Sequence, residues 1–379
     1  MNSPETQDRI EPYILMFSTG CLMGFLGLIF WVFFQLGWIH FYPRALHGNL
    51  MFFGFLWSFV AGFLMTAVPK MTSTSAAKLG EISFAVALVF IQTVLNVRNL
   101  TDVSAAVFLI QNLFLLYFIV RRFLVNRKVP FFGFIFLPVA FMQSFIGVAL
   151  YFYFGDRSLF VLLCGEAFIL NLILGLGSRL IPVISRLPNA LLPSESSNSD
   201  NWTWPLLTLL FVNVGYWCEI FNFRELGIIF RVFGILIAAV KLLRLFVVPV
   251  TWSYVGVGLK ISVVLLVIGQ ILSLSFFNNI LAGQHLIYIG GFSIITMLIA
   301  TRVILAHGNQ SLNYEISSKR ISFIVLLLLL SALIRFFVKN DVSNFLLSIS
   351  ALSFVFAIAL WFSRFLKIMN SKVNKEGAT

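Results

Sequence analysis

Charged residues are scarce in this sequence. Only 11% of its 379 residues are Asp, Glu, Lys or Arg, and 60% are hydrophobic. A soluble globular chain has about 25% charged residues, so a water-soluble fold is excluded and the lipid bilayer is the predicted surrounding. The 44 Phe residues suit lipid-facing and bundle-filling positions.

Cysteine is scarce too, and the three residues lie far apart inside apolar runs: Cys21, Cys164 and Cys218. None belongs to a CxxC pair, which excludes a disulfide framework and a thiolate metal site. The P-loop, the dinucleotide-binding fingerprint, the nucleophile elbow and the zinc-protease motif are also missing from any usable context.

Long hydrophobic runs fill most of the chain. A run of about 20 apolar residues is enough to cross a bilayer as a helix, and twelve such runs follow one another. They span residues 13–37, 47–69, 80–97, 103–120, 130–154, 158–178, 202–221, 226–247, 252–276, 283–305, 321–338 and 343–363. The sequence predicts an all-α, polytopic membrane protein of about twelve transmembrane helices, with no convincing internal repeat.

The predicted domain organisation is a single integral-membrane domain over residues 1–379. Six spans (13–178) and six further spans (202–363) flank a polar loop at 187–201, and a short cytoplasmic tail follows. The first apolar run is too long for the core of a signal peptide, so we expect it to remain as an uncleaved span.

The net charge of +12 indicates how the chain is oriented in the membrane. In a soluble chain it would suggest a nucleic-acid partner, but here the basic residues lie mostly in short loops, so no such partner is predicted. The termini and the even-numbered loops, with their adjoining helix ends, hold 19 Lys and Arg against 6 for the odd-numbered loops. The positive-inside rule then places both termini in the cytoplasm.

The four histidines are His40, His47, His285 and His307. His47 and His285 each open a span at the predicted outer face, where they could face each other across a haem, since imidazole is a common ligand of haem iron. His307 lies 22 residues after His285, about 33 Å along a helix, so those two cannot share one metal. His40 stands between aromatic residues and is interpreted as an interfacial anchor.

The residues after His47 resemble a known family. A Gly-Phe pair at 54–55, an Ala-Gly-Phe-Leu run at 61–64 and a Thr-Ala-Val-Pro run at 66–69 match the NnrS family of membrane proteins at the same spacing. The same span is distantly similar to the second span of haem–copper oxidase catalytic subunits. His47 matches the first histidine of the family, whereas Asn49 and Leu50 stand where it has a second histidine and a glutamate.

Two further blocks carry the resemblance. The run Gly-Ser-Arg-Leu-Ile-Pro at 177–182 is similar to a Gly-Gly-Arg segment of the family, and the run from His285 to Gly308 is similar to its tenth span. The resemblance implies an inner-membrane, haem- and copper-containing protein of the nitric oxide response, nitrosative stress or denitrification. It implies redox chemistry at a b-type haem held by His47 and His285, with an electron-donor protein or quinol and nitric oxide or a nitrosylated iron species as partners.

Ionisable residues inside spans are functional candidates by default. Arg44 and Arg231 are candidates for neutralising haem propionates on the outer side. For Arg231 the alternative is an ion pair with Glu166, which lies in the outer half of the sixth span.

A second site remains open at the predicted cytoplasmic end. There His307 closes the tenth span, and Arg179 and Arg302 lie at nearby helix ends. This group is a candidate second metal site, with copper as one occupant. The alternatives are a helix C-terminal histidine that bonds the last carbonyls and arginines that reach lipid phosphates.

A different class of function also fits the layout. Twelve spans in two halves of six is a common arrangement of secondary transporters, and such a transporter would carry no cofactor. Conversely, the haem–copper reductases use about six histidines and this chain has four, so oxygen or nitric oxide reduction by their mechanism is not expected.

Overall fold

The computed structural model describes residues 10–126, 131–190, 202–277, 280–308, 310–338 and 345–376. Within these ranges the regular structure is helical throughout, and twelve long helices follow one another. They are α1 (Pro12–Gln35), α2 (Arg44–Met71), α3 (Leu79–Val97), α4 (Thr101–Val125), α5 (Phe132–Phe154), α6 (Arg157–Ile184), α7 (Thr203–Ile220), α8 (Arg224–Ile237, continued by Ala238–Leu242), α9 (Tyr254–Leu272), α10 (Ile280–His307), α11 (Lys319–Phe337) and α12 (Phe345–Glu376).

Ten of these helices are long and apolar enough to cross a membrane, by length and composition. The predicted all-α, polytopic fold is thereby confirmed, and its count of twelve spans is approximate. The other two, α7 and α8, fall on the predicted runs 202–221 and 226–247, but α8 carries Arg224, Glu225, Arg231 and Lys241. They pack closely on each other, since a Cβ added at Gly215 would lie 2.5 Å from the carbonyl oxygen of Gly227.

Three helices form the interior of the bundle. The most apolar stretches of α2, α6 and α10 are 83%, 83% and 78% buried, against 33–61% for the other seven candidate spans. Each has 28 residues and contains a π-helical segment near its beginning: Leu50–Leu56, Val161–Ala167 and Leu286–Ser293.

The interior helices recur at every fourth position in the chain, as the second, sixth and tenth long helices. Each successive set of four helices thus contributes one interior helix. The division into two halves of six spans stays a prediction. Most of the predicted polar loop, residues 191–201, lies outside the described residues, as do residues 339–344.

Side-chain hydrogen bonds between helices fix the interior helix α2. The indole Nε1 of Trp57 donates to Oδ1 of Asn112 at 2.9 Å, and Nδ2 of Asn112 donates to Oγ of Ser144 at 2.6 Å. These bonds tie α2 to α4 and α5. Buried polar groups in a bilayer must be satisfied inside the protein, so this chain of bonds restricts the position of α2 and of the residues that open it.

The two ends of the bundle differ in their polar residues. We call them the odd-loop end, where α1, α3, α5, α7, α9 and α11 end, and the even-loop end, where α2, α4, α6, α8 and α10 end. The predicted orientation puts the odd-loop end outside the cell.

Candidate functional site

A cavity of about 1990 Å³ opens at the odd-loop end. Its walls come from all three interior helices and from α11 and α12, and its rim holds the first residues of α2, α6 and α8. Ligand pockets for drug-sized molecules have volumes of about 300–1,000 Å³. This cavity therefore has room for a large organic cofactor.

His47 and His285 both line this cavity, as the sequence predicts for two ligands at equal depth. Nδ1 of His47 lies 2.9 Å from the carbonyl oxygen of Gly27, and Nδ1 of His285 lies 2.7 Å from that of Leu281. A carbonyl oxygen only accepts hydrogen bonds, so each Nδ1 carries the proton. Nε2 of each ring then keeps its lone pair, the form in which imidazole binds a metal.

The two imidazoles share one electrostatic environment in the cavity. Both rings lie within range of electrostatic interaction with each other and with Arg335. Both side chains are half-buried although they lie deep in the protein, because the surface that remains accessible faces the cavity.

A π-helical segment follows each histidine closely. One begins three residues after His47, at Leu50, and one begins directly after His285, at Leu286. A π turn holds more residues than an α turn, so it rotates the helix before it relative to the helix after it, and such turns are frequent at functional sites. Here they set the direction in which the first turns of α2 and α10 present their histidines.

Four arginines line the cavity: Arg44, Arg157, Arg224 and Arg335. Arg224 pairs with Glu219 at 3.6 Å and with Glu225 at 3.8 Å. Among the described ion pairs, none includes Arg44 or Arg335. Guanidinium groups outside any described ion pair that line a cavity favour an anionic ligand, because charge-assisted hydrogen bonds to carboxylates offset their desolvation.

Arg231 does not line the cavity. It is 3% exposed, its Nη1 donates to Oε2 of Glu219 at 2.6 Å, and its Nε donates to Oε1 of Gln270 at 3.1 Å. These contacts already occupy the guanidinium group. Binding of a haem propionate by Arg231 stays a prediction, and this placement does not favour it. The sequence did not indicate a functional role for Arg335. An arginine in the last turn of a span counts there only toward the charge difference between the two sides of the membrane.

Glu166 lies behind the cavity wall in the π-helical segment of α6. Its carboxylate accepts hydrogen bonds from Oη of Tyr288 at 2.8 Å, Oη of Tyr216 at 3.2 Å and Nε2 of Gln270 at 3.2 Å. No direct ion pair between Glu166 and Arg231 is found among the described residues, and Gln270 bridges them instead. The alternative pairing read from the sequence is thus replaced by a bridged arrangement.

The remaining histidine at the odd-loop end and the residue at the family's second histidine position have other surroundings. His40 is exposed in the loop between α1 and α2 and does not line the cavity. Asn49 does line it, but its Nδ2 donates to Oδ1 of Asn96 at 2.6 Å. This bond holds the amide against α3.

At the even-loop end, the residues of the predicted second site have other described contacts. His307 contacts Nζ of Lys70, and its ring centroid lies 6.0 Å from that of Tyr13. Arg302 instead pairs with Glu315 at 2.6 Å, and Arg179 lies over the ring of Phe131.

A copper site needs several nitrogen or sulfur ligands. Across the described ranges, no three His, Cys, Asp or Glu side chains form a group that could hold a metal ion. Copper at His307 therefore stays a prediction that no described ligand group supports. Burial raises the pKa of the Glu315 carboxyl, and the neighbouring Arg302 opposes that shift.

Comparison with known proteins and protein families identifies the family of this chain. No curated protein matches it. A family model described as "NnrS protein" matches residues 10–372, nearly the whole chain and both cavity histidines. The chain therefore belongs to the NnrS family.

Proposed function

We propose that the protein binds one b-type haem in the odd-loop cavity, with His47 and His285 as the two axial ligands. The observation that carries this proposal is that both imidazoles line one cavity with Nδ1 bonded to a backbone carbonyl, which leaves Nε2 for a metal. Two histidines on different interior helices are what a bis-imidazole iron requires.

Arg44 and Arg335 would hold the propionates. Both line the cavity near its opening, and neither belongs to a described ion pair. Their guanidinium groups match carboxylates as bidentate hydrogen-bond donors. The apolar part of the wall, which includes Trp31, Phe52 and Leu56, would pack against the macrocycle and exclude water.

The proposed chemistry is electron transfer. A haem with two protein ligands is coordinatively saturated, so it exchanges electrons more readily than it binds gaseous ligands. We infer an accessory role in nitric oxide and nitrosative-stress response or denitrification, with an electron-donor protein or quinol as reductant and nitric oxide or a nitrosylated iron species as the oxidised partner. Family membership supports this assignment.

The proposed location is the inner membrane, with both termini in the cytoplasm. The multi-pass fold supports a membrane location, and the orientation rests on the 19-to-6 distribution of basic residues. In this orientation the haem cavity opens outward, and an external donor would reach it directly.

Absorption spectra of the purified protein test the haem. We expect a Soret band and sharp low-spin bands on reduction, which His47→Ala and His285→Ala each abolish or convert to high spin. His40→Ala is the matched control, because this residue is exposed and lies outside the cavity. A colourless wild-type protein would reject the haem and favour the secondary transporter.

Growth tests the physiological role. A deletion strain should grow normally in air and poorly under nitric oxide or during denitrification, and the wild-type gene should rescue it whereas His285→Ala should not. Equal growth of deletion and parent strains at every nitric oxide dose would contradict the role, even if the protein binds haem.

A further inference from the structure

Glu166 is a buried carboxylate held by donors from three helices. It is 3% exposed, and its hydrogen bonds come from Tyr216 of α7, Gln270 of α9 and Tyr288 of α10. An ionisable residue at such a depth in a membrane protein is expensive to bury and is a functional candidate by default. The proposed haem ligation does not use it.

Glu166 has no direct ion pair among the described residues. The buried cation Arg231 donates to Glu219 at 2.6 Å and is linked to Glu166 through the amide of Gln270. At the rim, Arg224 lies between Glu219 and Glu225. Both guanidinium groups are thus engaged by other carboxylates, and Glu166 is held by neutral donors.

Tyr288 connects this carboxylate to the cavity. Its ring lies in the cavity wall, with its centroid 6.4 Å from that of His285, and its hydroxyl donates to Glu166. The carboxylate itself contacts neither histidine in the described structure. It is thus one hydrogen bond from the cavity and separate from the proposed ligands.

Side chains from four neighbouring helices surround Glu166. Titratable or charged neighbours are Tyr216 on α7, Arg231 on α8 and Tyr288 on α10. From α9 the neighbour is the neutral Gln270. The adjacent Gly165 packs against the ring of Phe52 on α2, and Cys164 packs against α5, where it donates to the carbonyl oxygen of Ser144.

We propose that Glu166 takes up one proton when the cavity cofactor is reduced, and so couples electron transfer to proton uptake. This inference rests on the proposed haem. An electron added to the cavity raises the negative charge beside a carboxylate that has no direct ion pair among the described residues. Protonation of Glu166 offsets the added charge, because charges in a low-dielectric interior interact strongly.

Uptake of one electron would be accompanied by uptake of one proton. The electron would come from the external one-electron donor, and the proton from the external solution by way of the cavity. That proton bonds to Oη of Tyr288 as the phenolic proton of Tyr288 moves along its 2.8 Å hydrogen bond to Oε2 of Glu166. Tyr288 ends neutral and unoxidised, and Glu166 ends as a neutral carboxylic acid.

Redox titration and infrared spectroscopy of the purified, haem-loaded protein test this proposal. In the wild type, the midpoint potential should fall as the pH rises, and the reduced-minus-oxidised infrared spectrum should gain the C=O band of a protonated carboxylic acid. Glu166→Gln should lose both the pH dependence and the band, whereas Glu166→Asp should keep them. The matched control is Asp156→Asn, a cavity-lining acid at the rim, which should also keep both.

Tyr288→Phe isolates the route. It preserves the ring in the cavity wall and removes the hydroxyl, so the carboxylic acid band should still form at equilibrium but more slowly after rapid reduction. A rate equal to that of the wild type would overturn the relay through Tyr288.

The outcomes separate the two proposals. A haem-loaded wild type without the band, or a Glu166→Gln variant that keeps the pH dependence, would overturn proton uptake and leave haem binding intact. A wild-type protein that purifies without haem would overturn both. If Glu166→Gln fails to fold, the wild-type and Glu166→Asp spectra decide the question, and absence of the band from both overturns the proposal.

Discussion

At the residue scale, the two cavity histidines are oriented by backbone and not by side chains. His47 bonds the carbonyl of Gly27 on the neighbouring helix α1, and His285 bonds that of Leu281 one turn earlier in its own helix. A backbone carbonyl cannot be removed by mutation of a side chain. The tautomer of each imidazole is therefore insensitive to most substitutions around it.

The first prediction concerns Arg335 and Arg44. Replacing either with Gln should weaken haem binding by roughly 10- to 100-fold, since a hydrogen bond to a charged group contributes about 1.5–3 kcal/mol. Haem retention, measured by the Soret absorbance per protein after transfer to a haem-binding competitor, checks it. Arg98→Gln is the control, because Arg98 is exposed at the same end and does not line the cavity. Equal loss in all three variants would contradict a specific role.

A second prediction concerns Asp156, which caps α6 by accepting from the backbone N–H groups of Ser158 and Leu159. These bonds and the Ser158 hydroxyl lower the pKa of Asp156 from its ordinary value of 3.8. The charged cap therefore stabilises the fold above that value and loses its effect as the pH falls through the lowered pKa. Asp156→Ala should reduce stability by about 1 kcal/mol at neutral pH. The difference in melting temperature should shrink in acid, and a constant difference down to the lowest pH would contradict the charge contribution.

The sequence could predict part of this site. Histidines are so few that two of them opening spans at one depth are conspicuous, and both line the cavity. The role of Arg335 could not be predicted, because it depends on a neighbouring cavity and not on the local sequence. The sequence also could not predict the acidic partner of Arg231. That partner, Glu219, lies on the preceding helix, and only the structure distinguishes it from Glu166.

At the element scale, each interior helix has a π-helical segment near its beginning, whereas the π-helical segment of α8, Ala238–Leu242, lies at the end of that helix. The three interior segments lie beside the cavity: Met51, Phe52 and Leu56 from the first, Val161 and Leu162 from the second, and Tyr288, Ile289 and Ser293 from the third line its wall. Hydropathy and helical periodicity located these helices to within a few residues. A π turn has no comparable signal, since it changes the register without changing the apolar character of the run.

A third prediction follows from the segment Leu50–Leu56. Deleting Met51 should convert the π turn into a regular α turn, which takes up the lost residue, so His47 keeps its direction and the protein keeps its low-spin haem spectrum. Deleting Val60, in the regular α-helical part of α2, should instead rotate His47 by about 100° relative to the end of α2, the angle per residue of an α-helix, and abolish that spectrum. Loss of the spectrum in both deletion variants would contradict this role of the π turn.

The fourth prediction compares two glycines. A Cβ at Gly62 of α2 would lie 2.8 Å from Cβ of Met16 and 2.9 Å from Cε1 of Phe17 on α1, whereas a Cβ at Gly80 of α3 meets nothing within 4 Å. Overpacking of this kind destabilises by about 1–3 kcal/mol. Gly62→Ala should therefore lower the melting temperature in detergent, and Gly80→Ala should leave it unchanged or raise it. A fall in both would assign the effect to something other than the α1–α2 contact.

At the scale of the whole molecule, the polar residues divide the bundle into two different ends. The cavity and its four arginines occupy the odd-loop end, and the even-loop end carries the pairs Lys70–Glu11 at 3.8 Å and Arg302–Glu315 at 2.6 Å. The basic excess of the even-numbered loops was readable from sequence because it is summed over many positions. The grouping of helices by four was not, because it appears only in which helices are buried.

The fifth prediction is the orientation. Single cysteines at Tyr153 and Gln310, both exposed, report on the odd-loop and even-loop ends respectively. In intact cells an impermeant thiol reagent should label Tyr153→Cys and leave Gln310→Cys unlabelled until the membrane is permeabilised. The background should carry Cys218→Ser, since Cys218 is not fully buried. The reverse labelling pattern would invert the orientation and turn the cavity toward the cytoplasm.

The walls of the cavity also set an order of assembly. Leu28 and Trp31 of α1 face it from one terminus, and Leu347 and Phe354 of α12 face it from the other. A nascent chain that has inserted only its first ten or eleven helices would leave the wall open to lipid. The cavity is therefore complete only after α12 has inserted and docked. Under the proposed function, haem would be loaded after that step, and a truncation that removes α12 should yield an inserted but haem-free protein.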